Sequence, residues 1–209
     1  MIRYAITDRT LLAADEPARR AALLTLAARW AADGIDYIQL REKGLTATEF
    51  EEIARAIAAT IYAVHGKTKL LINSGARVFR IKTALAIAAD GIHLTSSETR
   101  YTPTIIRNLF AQQGLPSPVV SVSCHTQDEV VTARCEDASF ILFGPVFGKT
   151  VAGDEVVPAA GLEVLRVACQ TAQHIPVLAL GGITLENAPL CFAAGAQGIA
   201  GIRLYTSKP

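Results

Sequence analysis

Tyr37-Ile38-Gln39-Leu40-Arg41-Glu42-Lys43-Gly44-Leu45-Thr46-Ala47-Thr48-Glu49-Phe50 holds the start of one whole structural unit. A short apolar run, Tyr37–Leu40, gives way to a cluster of charges, and order resumes at Thr46, where Thr-x-x-Glu is the pattern of a helix capping box. Phe50, Ile53, Ala54, Ile57 and Ile61 then recur at helical spacing. Strand, charged exit, capped helix: this order is a βα unit. The same alternation runs the length of the chain. Its apolar runs are Tyr4–Thr7, Tyr37–Leu40, Lys69–Ile72, Gly91–Leu94, Val119–Val122, Phe140–Phe143, Val177–Leu180 and Gly198–Ile202, eight in all. Thr126 and Glu129 repeat the capping box, and Asp33-Gly34, Ala89-Asp90-Gly91 and Ala194-Gly195-Ala196 put glycine where helices should turn into strands. Runs that are apolar throughout suit strands buried on both faces.

The expected fold is therefore α/β, a single domain over residues 1–209 with no linker or low-complexity break. Eight strands leave about 26 residues per unit, which favours a small (β/α)8 TIM barrel over a doubly wound sheet. Only seven residues follow Ile202, too few for an eighth outer helix, so either the barrel closes without it or the protein continues past Pro209. A surface left bare near the eighth and first strands would need a cover, and a homodimer is the expected form.

Composition removes other classes. With 51% hydrophobic residues and a formal net charge of +1, the chain has neither the signature of disorder nor the basic excess of a nucleic-acid binder. Ala21–Ala28, bounded by arginines, falls short of the roughly 18 apolar residues of a membrane span, and Met1–Asp8 reads as a strand rather than a secretion signal. A cytoplasmic protein is expected. Cys124, Cys135, Cys169 and Cys191 form no C-x-x-C pair and read as reduced thiols. Cys124 and His125 are adjacent, and strand neighbours point to opposite faces, so no nucleophile pair is expected there.

In a (β/α)8 barrel the chemistry sits at the strand C-termini and the loops that follow. Gln39, Arg41 and Lys43 share a face by period two, a fork of donors and cations for an anionic, oxygen-rich ligand. Leu180-Gly181-Gly182-Ile183-Thr184 bares backbone N–H groups just before a helix, which suits a phosphate, and Arg203 could close that pocket from the last strand. Gly144-Pro145-Val146-Phe147-Gly148-Lys149-Thr150 resembles a P-loop at a glance, but three residues rather than four precede Gly148-Lys149. It reads as a glycine-flanked lid carrying Lys149. His93 and His125 lie at or near the mouth, whereas His65 and His174 fall at helix ends and read as structural. The acids near the mouth are few, Asp8, Glu42 and Glu98, which limits the options for holding Mg²⁺ to one or two carboxylates plus substrate phosphates.

These segments together resemble the thiamine phosphate synthase and thiazole tautomerase family. Gln39-Leu40-Arg41-Glu42-Lys43 is similar to its Q-L-R-E-K, Ile72-Asn73 to I-N-D, and Ala89-Asp90-Gly91-Ile92-His93-Leu94 to A-D-G-V-H-L. Ser121-Val122-Ser123-Cys124-His125-Thr126 is similar to G-V-S-x-H-T, Gly144-Pro145-Val146-Phe147 to G-P-I-F, and Leu180–Thr184 to I-G-G-I-T. The resemblance implies a (β/α)8 barrel that joins a hydroxymethylpyrimidine diphosphate to a thiazole phosphate and releases pyrophosphate. By it, Arg41, Lys43, Asn73 and Ser123, with Lys149 from the loop, would hold the pyrophosphate. Gln39 and His93 would orient the pyrimidine, and Gly181 and Gly182 would take the thiazole phosphate. It further implies Mg²⁺ and a dimer. The chain departs from the pattern at Ser74, where the family has a metal-binding Asp, which leaves Glu98 as the metal carboxylate. It also departs in a connection lengthened by about five residues at Ser74–Val78, and at Arg203, where a phosphate-holding Ser is expected. The alternative carried by the same resemblance is a metal-free tautomerase with Glu42 and His125 as its acid/base pair, or a non-catalytic binder of thiazole or thiamine phosphates.

Overall fold

The structure, a computed structural model, describes the backbone of residues 1–64, 66–151 and 154–206, and the side chains of all of these except 149–157. Eight parallel strands close into a barrel: β1 (Ile2–Ile6), β2 (Tyr37–Leu40), β3 (Lys69–Asn73), β4 (Gly91–Leu94), β5 (Val119–Cys124), β6 (Phe140–Phe143), β9 (Val177–Leu180) and β10 (Gly198–Gly201). Each apolar run of the sequence is one of these strands, and β1 pairs with both β2 and β10 to close the ring. Helices α1 (Glu16–Ala32), α2 (Ala47–Ala63), α3 (Val78–Ala86), α4 (Pro103–Gln112), α5 (Gln127–Cys135), α6 (Leu162–Ala172) and α7 (Ala188–Ala193) surround it. Both capping boxes form, at Thr46 with Glu49 and at Thr126 with Glu129.

Period two decides what each strand buries on which side. Ile38, Leu40, Leu70, Ile72, Ile92, Leu94 and Val120 pack outward with the helices. Tyr4, Ile6, Leu71, Phe140, Leu142, Leu178 and Ala200 fill the barrel interior. α2 turns inward the five apolar residues that its spacing singled out, Phe50, Ile53, Ala54, Ile57 and Ile61. Burial on both faces leaves the strand ends as the places where polar side chains can gather.

Local detail departs from expectation in two places. The segment carrying Lys149 is regular: β7 (Lys149–Val151) and β8 (Asp154–Val157) pair as a two-stranded antiparallel ribbon between β6 and α6. At the end of α3 the left-handed residue is Ala88, with φ 49°, rather than a glycine. Gly91 is there for a different reason: a Cβ would stand 1.9 Å from the Val119 carbonyl oxygen, inside the β4–β5 ladder. Among the described residues no helix follows β10; a turn carries the chain back onto α1, where Trp30 Nε1 and Arg29 donate to the Tyr205 carbonyl at 2.7 and 2.8 Å.

Gly91→Ala should push β4 off β5. The expected outcome is a loss of about 3 kcal/mol or more, since overpacking against backbone has little room to relax, read as a lower denaturant midpoint.

Candidate active site

At the exit of β2 the alternation expected from the sequence separates two kinds of group. Gln39 is 1% exposed, and its Oε1 is a buried acceptor with no hydrogen-bond partner. Arg41 follows it, its N–H held by Thr7 Oγ1 at 3.0 Å. Glu42 turns the other way and is also 1% exposed. Its carboxylate accepts from the Arg9 N–H and from Arg9 Nη1, both at 3.1 Å, and Arg9 continues to Glu16 at 2.8 Å and to the Lys43 carbonyl at 3.0 Å. Glu42 is thus a clamp between the first two loops rather than an acid or base at the mouth. Removing one partner of a buried pair leaves the other charge unpaired, which keeps it from serving as a shuttle.

The exit of β3 supplies a residue that the motif reading missed. Arg80, on α3 and 5% exposed, donates through Nη1 to the Asn73 carbonyl at 3.3 Å and to Asn73 Oδ1 at 3.2 Å, and through Nη2 to the Glu42 carbonyl at 2.6 Å. Its guanidinium lies 4.7 Å from the centre of the Phe50 ring. With Oδ1 committed to Arg80, the amide nitrogen of Asn73 is the group left to face a ligand. Burial, then the charges of Arg77 and Arg41, push the Arg80 pKa down to about 10. Three guanidiniums therefore crowd the ends of β2 and β3, and no carboxylate is bonded to the buried one. The signal in the sequence was a charge on the buried stripe of α3, three and four positions before Thr83 and Ala84.

On the next strands round the barrel, β4 and β5 place His93, Ser121 and Ser123 together. His93 is 2% exposed, with Nδ1 2.9 Å from Ser121 Oγ and Nε2 2.8 Å from Ser123 Oγ. Burial and, second, the Arg41 charge push its pKa down to about 3, so the ring is neutral near pH 7. Both ring nitrogens are engaged by serines, so the hydroxyl of Ser123, rather than the imidazole, is what this group presents at the mouth. His125 is exposed and hangs by Nδ1 on the Gly144 carbonyl, while Cys124 is fully buried with its thiol pushed up to about 12. Glu42 and His125, the acid/base pair of the tautomerase alternative, are held on different partners, Arg9 and the Gly144 carbonyl.

Gly181 and Gly182 have φ of 93° and 65°, and a Cβ on Gly181 would come within 2.5 Å of Pro145. Their carbonyls are taken by the Phe147 N–H and Asn187 Nδ2, at 3.1 and 2.9 Å, so amide hydrogens are what the loop has left to offer an anion. The helix behind them contributes less than expected. α7 has six residues, and the Asn187 side chain already accepts the Thr184 N–H at 2.9 Å. Arg203 is exposed and lines a groove of about 790 Å³ with Arg29, Trp30, Ile183, Thr184 and Glu186. The Lys149 side chain and His65 lie outside the described residues, and His174 sits just past α6.

Of the acids, Asp8 caps the short turn Arg9–Leu11, and Glu98 lines a cavity of about 280 Å³ with Ser123 and Tyr101. One Glu98 oxygen accepts from Arg100, and the other, Oε2, is buried without a partner. Ser74 Oγ accepts from the Thr95 N–H at 3.4 Å. Among the described residues no group of three or more His, Cys, Asp or Glu gathers to hold a metal, and no helix is long and apolar enough to cross a membrane.

A closed eight-stranded barrel whose mouth gathers guanidiniums, an amide and a hydroxyl, with glycine-bared amides opposite, defines a small (β/α)8 enzyme that handles phosphorylated substrates. Comparison with known proteins makes this specific. The family described as thiamine monophosphate synthase matches residues 3–204. A thiamine-phosphate synthase of Moorella thermoacetica is 35% identical over 172 residues, covering 81% of this chain and 73% of that protein. One from Syntrophomonas wolfei is 30% identical over 197 residues, covering 94% and 84%. A thiamine phosphate pyrophosphorylase from Pyrococcus furiosus superposes with a TM-score of 0.76 at 24% identity, covering 99% of this chain and 88% of that one, which establishes the shared fold. The chain belongs to the thiamine monophosphate synthase family.

The buried imidazole has a consequence for stability. His93 is depressed from 6.5 to about 3, so between those values the unfolded chain binds a proton that the folded chain does not, and stability falls as pH falls through that window. Chemical unfolding at pH 7 and pH 5 should show the wild type losing up to ~1.4 kcal/mol per pH unit more than His93→Gln below about pH 6. Equal slopes would mean that His93 is not held neutral.

Proposed function

We propose that the protein catalyses transfer of a hydroxymethylpyrimidine group from its diphosphate to a thiazole phosphate. The observation that carries this reading is the cluster of Arg41, Arg77 and Arg80 at the ends of β2 and β3, whose buried member bonds no carboxylate among the described residues. Such a mouth suits an anion with several oxygens that gains charge as the reaction proceeds. The C–O bond to the diphosphate breaks with its electron pair leaving on oxygen, and the thiazole nitrogen supplies the pair for the new C–N bond. No proton is removed in either event. A site in which Glu42 is locked to Arg9 and His93 to two serines fits a reaction that asks for charge stabilisation rather than a base.

In this reading Arg41, Lys43, Asn73, Ser123 and Lys149 hold the diphosphate, and Arg80 keeps Asn73 turned toward it. Gln39, whose buried Oε1 lacks a donor, takes the amino group of the pyrimidine. Gly181 and Gly182 take the thiazole phosphate. The unpartnered Oε2 of Glu98 fits a hard cation, so Mg²⁺ would be held there by one carboxylate and substrate oxygens. Bound there, the metal would supply further neutralisation of the leaving diphosphate. We place the enzyme in the cytoplasm.

The test is pyrophosphate release from both substrates, with Mg²⁺ and with EDTA. Mg²⁺-dependent release is expected, and Arg41→Ala should lower kcat/KM by roughly 100-fold, the scale of losing one charge-assisted contact to a developing anion. Folded protein that binds thiazole phosphate and releases nothing would overturn the synthase reading.

The family resemblance and the groove of about 790 Å³ between α1 and the loop after β9, edged by exposed Leu185, support a homodimer. Light scattering should give twice the 22.2 kDa chain mass, and a monomer would refute it.

A further inference from the structure

We propose that Tyr4, Ser121 and His93 form a one-directional hydrogen-bond relay that orients the Ser123 hydroxyl, turning its proton toward the barrel mouth as a donor. The line of contacts runs from the barrel interior to its rim. Tyr4 Oη lies 3.5 Å from Ser121 Oγ, Ser121 Oγ 2.9 Å from His93 Nδ1, and His93 Nε2 2.8 Å from Ser123 Oγ. Tyr4 and Ser121 are fully buried and His93 nearly so, whereas Ser123 is half-buried.

Counting protons sets the direction. The Tyr4 phenol carries one proton and is fully buried, and Ser121 Oγ is the side-chain acceptor within reach among the described residues. Tyr4 therefore donates to Ser121. Ser121 must then pass its own proton to its remaining partner, Nδ1 of His93, which is accordingly the bare nitrogen. A neutral imidazole holds one proton, so it sits on Nε2 and is donated to Ser123 Oγ. Ser123 accepts that bond, and its own proton remains for a ligand. The opposite direction would strand the Tyr4 proton in the core, where an unmade hydrogen bond is costly.

His93, Ser121 and Tyr4 are thus positioning residues, acting on the ligand through Ser123. That Ser123 donates to a diphosphate oxygen rests on the synthase reading; the direction of the relay does not.

The direction is read in ¹⁵N-histidine-labelled protein without substrates, by two-bond ¹H–¹⁵N correlation of the imidazole rings. The His93 ring is the one absent from His93→Gln. The Nε2-protonated neutral tautomer is expected throughout pH 5.5–8, and the Nδ1-protonated tautomer would overturn the proposal. In the pyrophosphate assay, Ser121→Ala should lower kcat by about 10-fold with little change in KM, and Ser121→Thr should restore it. A Ser121→Ala enzyme with the wild-type kcat would also overturn it. If the wild type shows the Nε2 tautomer but no turnover, the synthase reading fails and the relay stands.

Discussion

A buried positive charge without a negative partner is the constraint around which this barrel mouth is arranged. Arg80 would cost several kcal/mol to bury if left bare. It is instead wrapped by three carbonyl-type oxygens, from Asn73 and Glu42, and by the face of Phe50. These bonds engage Nη1 and Nη2 without cancelling the charge, and Nε stays buried without a hydrogen-bond partner among the described residues. They also tie the loop after β2 to the loop after β3, so the motif carrying Arg41 and the one carrying Asn73 are held as one surface. Neither loop can move alone without uncovering a guanidinium.

The carboxylates complete the same division. Glu42 faces Arg9 behind the mouth, Glu16 joins that pair, and Asp8 caps a turn. Negative charge is spent on holding loops together from outside, and the inner rim keeps its cations. Glu98 is the exception, with one oxygen on Arg100 and the other buried and unmatched. A rim of this kind attracts an oxyanion strongly and offers it one carboxylate at most, which is where a divalent cation would have to bind.

Much of the barrel was legible because a strand buried on both faces leaves a continuous apolar run, and all eight runs became strands. The β7–β8 ribbon was not legible: its strands are three and four residues long and mix charged with β-branched residues, so neither period nor run length marks them. Period two correctly grouped Gln39 and Arg41 and, by the same rule, sent Glu42 to the opposite face. What it could not show was the partner waiting there, because Arg9 lies 33 positions away in sequence. Arg80 was hidden for a similar reason. A lone arginine within Val78–Ala86 reads as a solvated charge until the fold turns that stripe inward. His93 was read as a substrate contact from its place at a strand end, and only the Ser121 and Ser123 side chains on the neighbouring strand reveal that both nitrogens are taken.

Those two engaged nitrogens bear on what kind of catalyst such a barrel can be. A histidine that is to exchange protons needs a pKa near the working pH and one nitrogen open to substrate. His93 has neither: buried beside Arg41, it stays neutral and sits between two hydroxyls. The same burial that removes it from acid/base chemistry makes it a rigid spacer, because a neutral ring with both ends bonded cannot rotate without breaking two buried hydrogen bonds. Preorganised donors stabilise developing charge better than mobile ones, since they need no reorganisation when the charge appears. The desolvated groups of β4 and β5 and the guanidiniums at the ends of the neighbouring β2 and β3 therefore line one continuous stretch of the rim, fixed dipoles beside fixed charges, which in the synthase reading faces the departing diphosphate.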